Sequence, residues 1–237
     1  MNRASLSTLK VLFIGNSFTA RNDVPGLIAG LAEAQDLRLD HRLISRGGAS
    51  LRMHWNKGVA PQAIRRGGYD YVVLQEQSTL PVKNRTRMHE NIRLFHEVIR
   101  AAGAQTALYL TWARQHVPEA QAAITEAYTT IGQEIGATVV PVGIAWQQFL
   151  SKHDRPALHD TDRSHPTLAG SYLAACVFFA VLFGRVRSGP APLCRGWTRP
   201  MQRCSSGPRR RSQPAGWLVR RVEPGRQDAA SLGSAWA

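Results

Sequence analysis

At 237 residues the chain suits one α/β domain with a sizeable core, or one such domain with an appendage. Its 43% hydrophobic content and six tryptophans exclude wholesale disorder. The net charge of +14 would suggest nucleic acid or an anionic surface as a partner, but half of it lies in residues 188–237, where nine arginines and no lysine meet only Glu223 and Asp228.

Along the chain, short β-rich apolar runs alternate with longer stretches of helical period. The first strand is predicted over Lys10 to Ile14. Its apolar run is too short for a signal-peptide core, so a cytoplasmic protein is expected. The strand ends in Gly15-Asn16-Ser17-Phe18-Thr19, which puts a hydroxyl in the loop at the carboxyl edge of the sheet. Asp23-Val24-Pro25 then caps a helix running to Ala34.

A second strand, Leu39 to Ile44, leads into Arg46-Gly47-Gly48-Ala49-Ser50-Leu51, where backbone free of side chains can turn an N–H toward a substrate carbonyl. The third strand, Tyr69 to Leu74, is followed by Gln75-Glu76-Gln77-Ser78. Next come a helix over Asn84 to Ala102, a strand over Gln105 to Leu110, a helix over Glu119 to Ile135, a strand over Thr138 to Val142 and a helix over Gly143 to Leu150. The last helix starts at Leu168 behind a Thr167 cap and runs to Phe183; no apolar run is long enough to span a bilayer. Gly103, Gly136 and Gly184 each follow a helical stretch, as terminators do.

This order predicts a three-layer α/β/α sandwich around a five-stranded, mostly parallel, flavodoxin-like sheet, with ligands bound beyond the carboxyl ends of the strands. The folded domain is expected over 1–187. Residues 188–237, rich in Arg, Pro and Gly, lose all periodicity and are read as a disordered or non-native tail, as a frame-shifted reading would produce. Cys176, Cys194 and Cys204 lack ligand or disulfide spacing, which suits a reducing compartment.

The chemistry-bearing residues sit at opposite ends of the domain. Asp162 and His165 stand three apart in the loop before the last helix, so the carboxylate can hold Nδ1 while Nε2 faces outward. A serine hydroxyl is a poor nucleophile until such a base removes its proton, which makes Ser17 the candidate nucleophile.

Together these blocks resemble the SGNH, or GDSL-like, hydrolase superfamily, in a branch with GNSFT, GGASL and LQEQS blocks, over about Val11 to Gly184. The resemblance implies a serine esterase with Ser17 as nucleophile and oxyanion donor, His165 as base oriented by Asp162, and Gly48 supplying a second backbone N–H. Two departures stand out: Asn16 replaces the family's aspartate before the serine, and the third block lacks the usual Gly-x-Asn. The role of that asparagine falls to Gln75 or Gln77, and the sequence leaves both open. No cofactor is implied. The expected substrate is a small-molecule or carbohydrate ester, with acetyl favoured, and Trp55, Trp112 and Trp146 are candidates for a sugar-stacking platform.

Three other readings rank lower. His153, Asp154, His159, Asp160, Asp162 and His165 crowd together, yet no metal-ligand spacing is present. Nucleic-acid binding would rest on the tail, with Arg209-Arg210-Arg211, Trp197 and Trp217. A catalytically inactive binding domain on the same fold is argued against by the presence of all three of Ser17, Asp162 and His165.

Overall fold

A computed structural model describes residues 8–184. The expected tail, with Cys194, Cys204, Trp197, Trp217 and the arginine run, lies outside the described residues. The five strands are β1 (Thr8–Gly15), β2 (Arg38–Ser45), β3 (Tyr71–Leu74), β4 (Gln105–Tyr109) and β5 (Thr138–Val140). They pair in parallel in the order β2-β1-β3-β4-β5, the doubly wound arrangement expected from the alternation. The reversal of winding on either side of β1 opens a crevice at its carboxyl end.

The centre of the sheet is dry. Val11, Leu12, Phe13 and Ile14 of β1 are all fully buried, as are Val72, Val73 and Leu74 of β3. A strand covered on both faces reads as a continuous apolar run, which is why β1 and β3 show no alternation in the sequence. Strand β2 lies at the sheet's edge and alternates exposed Arg38, Asp40 and Arg42 with half-buried Leu39, His41 and Leu43.

Helices cover both faces: α1 (Ser17–Ala20), α2 (Val24–Glu33), α3 (Leu51–Lys57), α4 (Val59–Arg66), α5 (Leu80–Lys83), α6 (Arg85–Ala101), α7 (Ala120–Ile135), α8 (Val142–Leu150) and α9 (Leu168–Leu182). The long ones match the expected spans within two residues. The caps agree with the sequence: the Asn84 side chain accepts from Arg87 N–H, and Thr167 accepts from Gly170 N–H.

The short helices α1, α3, α4 and α5 are additional to the expected set. Gly58, in the left-handed region at φ +77°, ends α3 and starts α4, so neither half reaches the length at which period 3.6 is legible. No helix among the described residues is long and apolar enough to cross a membrane.

Candidate active site

Strand β1 delivers Gly15 and Asn16 to the carboxyl rim, and the chain turns at once into α1. Gly15 has to be a glycine: a Cβ there would stand 2.7 Å from both Gln75 Oε1 and Thr19 Oγ1. Asn16 caps α1, its Oδ1 accepting from Phe18 N–H at 3.0 Å while its Nδ2 donates to Ala49 O at 3.0 Å. An aspartate could make the first bond but not the second, which accounts for the departure from the family's Gly-Asp-Ser. Ser17 follows at the first helical position.

The loop before α9 brings the other half. His165 Nε2 lies 2.8 Å from Ser17 Oγ, and His165 Nδ1 lies 2.5 Å from Asp162 Oδ2. Asp162 Oδ1 accepts from the backbone N–H groups of Ser164 and His165 at 3.0 and 2.9 Å. Those bonds, the backbone one to His165 first, hold the Asp162 carboxyl far below the ordinary carboxylate range. An ionised acceptor at Nδ1 selects the tautomer whose Nε2 is bare, and that nitrogen can take the hydroxyl's proton.

Several contacts fix this loop. Arg21, just after α1, reaches Asp160 at 2.9 Å and Asp162 at 3.8 Å. Gln115 N–H donates to Arg163 O, and Trp112 Nε1 donates to Ser164 O at 3.0 Å. Phe18, Trp112 and Trp146 stack in one column, with centroids 4.8 and 3.9 Å apart, and His165 rests edge-on against Phe18.

In the segments that follow β1, β2 and β3, three donors lack an acceptor among the described residues: the N–H of Ser17, the N–H of Gly48 and Nε2 of Gln77. Gly48 sits in the left-handed region at φ +67°, in a loop tied to β1 by the bond from Arg46 N–H to Gly15 O at 3.3 Å. Gln77 Oε1 accepts from Thr79 N–H, Thr79 Oγ1 and Leu80 N–H at 2.9, 2.9 and 3.1 Å. With its oxygen held by backbone donors, the amide has a single orientation, which leaves both N–H bonds of Nε2 unengaged.

Gln75 is different. It is fully buried, its Oε1 accepts from Asn16 N–H and Thr19 Oγ1, and its Nε2 donates to Glu76 O. Its oxygen and its amide nitrogen are both engaged in the buried turn, so of the two glutamines Gln77 is the one whose amide nitrogen has no partner among the described residues.

A scan of protein families finds none that matches this chain, and no curated protein matches its sequence. Solved structures do match. A protein from Slackia heliotrinireducens described as an SGNH hydrolase superposes with TM-score 0.66 at 26% identity, covering 74% of this chain and 100% of that one. The chain belongs to the SGNH hydrolase superfamily.

Two further SGNH-fold neighbours are the acetylxylan esterase Axe2 of Geobacillus stearothermophilus (TM-score 0.59, 20% identity, 76% of this chain and 97% of that one) and the esterase EstA of a Pseudoalteromonas species (TM-score 0.59, 15% identity, 74% and 97%), the latter solved with monoethylphosphonate as inhibitor. At these identities they support the three-layer fold alone.

Within this SGNH frame the expectation for the tryptophans changes. Trp112 and Trp146 are 1% and 2% exposed and form the column beneath the histidine loop, so they cannot serve as a sugar platform; Trp55 packs edge-on against Phe95. The His/Asp cluster disperses as well. His159 bonds Ala113 O, Asp160 pairs with Arg21 and Asp162 with His165; among the described residues no group of three or more such side chains could hold a metal ion.

The sequence reading gave no site role to Arg21 or Glu76 and gave Trp112 a different one, yet each of the three steadies the site. Glu76 alone carried a signal, a charge two positions after the apolar run Tyr71–Leu74.

Proposed function

We propose that this chain is a serine esterase that hydrolyses carboxylic esters through an acyl-enzyme. The observation that carries the reading is the continuous relay from Ser17 Oγ through His165 to Asp162, at 2.8 and 2.5 Å. Ser17 Oγ attacks the ester carbonyl while His165 Nε2 takes its proton. Negative charge develops on the carbonyl oxygen, and the N–H groups of Ser17 and Gly48 with Nε2 of Gln77 stabilise it. Such donors are worth about 3 kcal/mol each, because they are in place before the charge appears.

Collapse of the intermediate expels the alcohol, which receives the proton from His165. Water then enters, gives its proton to the same nitrogen and attacks the acyl carbon, releasing the acid and restoring Ser17. Asp162 stabilises the imidazolium formed in each half of the cycle.

An acetylated carbohydrate is the substrate class we favour, supported by the likeness to Axe2, an acetylxylan esterase. In this reading the chain falls in the superfamily's branch with a GNSFT block, a reading supported by Gly15-Asn16-Ser17-Phe18-Thr19. Labelling with a fluorophosphonate, followed by mass mapping, tests the mechanism directly. Modification of Ser17 alone is expected; an unlabelled protein, or label on another residue, would reject the assignment and favour an inactive binding domain.

A further inference from the structure

Glu76 is completely buried at the rim of the sheet and forms no ion pair among the described residues, although the Arg52 charge acts on it. Burial drives its carboxyl pKa upward, against the opposing pull of its hydrogen bonds. A buried charge is costly, and an apolar residue of similar volume would fill the space at less expense. Its bonding explains what the charge is for.

Oε1 accepts from Leu51 N–H at 2.9 Å and from Gln77 N–H at 2.7 Å. Leu51 closes the loop that carries Gly48, and Gln77 carries the unengaged amide. One oxygen thus joins the two segments, after β2 and after β3, that carry those donors. Oε2 accepts from Asn91 Nδ2 of α6 at 2.9 Å, and Asn91 Oδ1 accepts from Arg52 Nε of α3 at 2.9 Å. The main chain of Glu76 is held as well, its N–H donating to Tyr128 Oη of α7 and its carbonyl accepting from Gln75 Nε2. The carboxylate is therefore gripped from α3, α6 and its own loop.

We propose that Glu76 is a positioning residue that sets the separation of the Gly48 N–H and Gln77 Nε2 by bonding both of their loops with one carboxylate oxygen. The inference rests on the reading of those two groups as oxyanion donors. Neutral or apolar side chains could fill the volume, but only an ionised carboxylate accepts from two backbone N–H groups and Asn91 at once with charge-assisted strength.

The test is steady-state hydrolysis of p-nitrophenyl acetate with thermal melting in parallel. E76Q keeps an oxygen for the two backbone N–H groups but turns an amide N–H2 against Asn91 Nδ2. E76Q/N91D restores an acceptor at that contact, still receives Arg52 Nε and returns the negative charge. E76Q is expected to lower kcat by roughly tenfold or more with KM little changed, a substantial part of what one donor is worth. E76Q/N91D should regain most of that loss.

In a Q77A background, where one donor is already gone, E76Q should cost much less than it does alone, since the two changes act on one element. Equal cost in both backgrounds, or an unslowed E76Q beside a slowed Q77A, would overturn the inference while leaving the oxyanion reading intact. Full activity in Q77A would sink that reading and the inference with it. If E76Q alone melts below the assay temperature, the rescued pair decides: normal melting with kcat still depressed refutes the positioning role, and normal melting with normal kcat upholds it.

Discussion

Ser17 Oγ and His165 Nε2 lie 2.8 Å apart although 148 residues separate them in the chain. Each group is held by local and distant partners together. Ser17 is set by the turn that Asn16 and Gln75 bind, and His165 by a loop pinned through Asp162, Arg21 and Trp112.

Because Ser17 is half-buried at the start of a four-residue helix and makes no packing contribution to the core, S17A should abolish hydrolysis of p-nitrophenyl acetate and leave the melting temperature unchanged. Melting curves and kcat on the same preparation check both halves.

D162N should be nearly as damaging for a different reason. Asp162 Oδ1 is held by two backbone N–H groups, so the new amide must keep its oxygen there and turn its nitrogen toward His165 Nδ1. That forces the proton onto Nε2, the wrong tautomer. A loss in kcat of about three to four orders of magnitude is expected, with the fold retained, as circular dichroism would report.

Two carboxyls give stability opposite dependences on pH. Asp162 has its folded pKa depressed from 3.8 by its bonds to His165 and Ser164, so its contribution is present above that ordinary value and is lost as the pH falls below it. Glu76 has its folded pKa raised from 4.5 by burial, despite the bonds from Leu51, Gln77 and Asn91 and the nearby Arg52, so stability is lost as the pH rises from 4.5 through the raised value. Melting temperatures between pH 3 and 8 should therefore show D162N converging on the parent at the acid end, and E76Q improving relative to the parent as the pH rises.

G15A tests the serine turn. The added Cβ meets Gln75 Oε1 and Thr19 Oγ1 at 2.7 Å, and Gln75 is packed without room to retreat. A stability loss of about 1–3 kcal/mol is expected from overpacking, with slower turnover because Asn16 shifts along with Gln75; chemical denaturation and kcat measure each effect.

W112F keeps most of the aromatic column but removes the Nε1 donor to Ser164 O, leaving a carbonyl of the histidine loop without that partner. A cost of about 1–3 kcal/mol is expected, with kcat lowered and KM for an acetylated oligosaccharide unchanged. A raised KM with normal melting would instead restore Trp112 as a sugar contact.

The strands, the long helices and the two motif blocks were legible because each is written in a few adjacent residues. The continuous apolar runs at Val11–Ile14 and Tyr71–Leu74 already describe strands buried on both faces, and Asp162 and His165 are close in the chain itself. The helices over Leu51–Lys57 and Val59–Arg66 were not, because Gly58 divides them into pieces about two turns long.

Gln75 and Gln77 show where local pattern stops. The two are identical in chemistry and two positions apart, yet successive side chains leaving a strand point to different surroundings, and which amide stays available depends on partners at Asn16, Thr19, Thr79 and Leu80. Trp112 and Trp146 read equally well as core or platform until their stacking is known.

By itself, then, the sequence determined the doubly wound sheet and the residue types of a hydroxyl, an imidazole and a carboxylate, since period and motif are short-range properties of the chain. Tertiary structure alone decided that the hydroxyl and imidazole meet, which glutamine has its amide nitrogen engaged in the buried turn, and that Glu76 lies buried between two loops. Those outcomes depend on parallel strand register and on which distant segments are packed side by side, and no window of neighbouring residues contains that information.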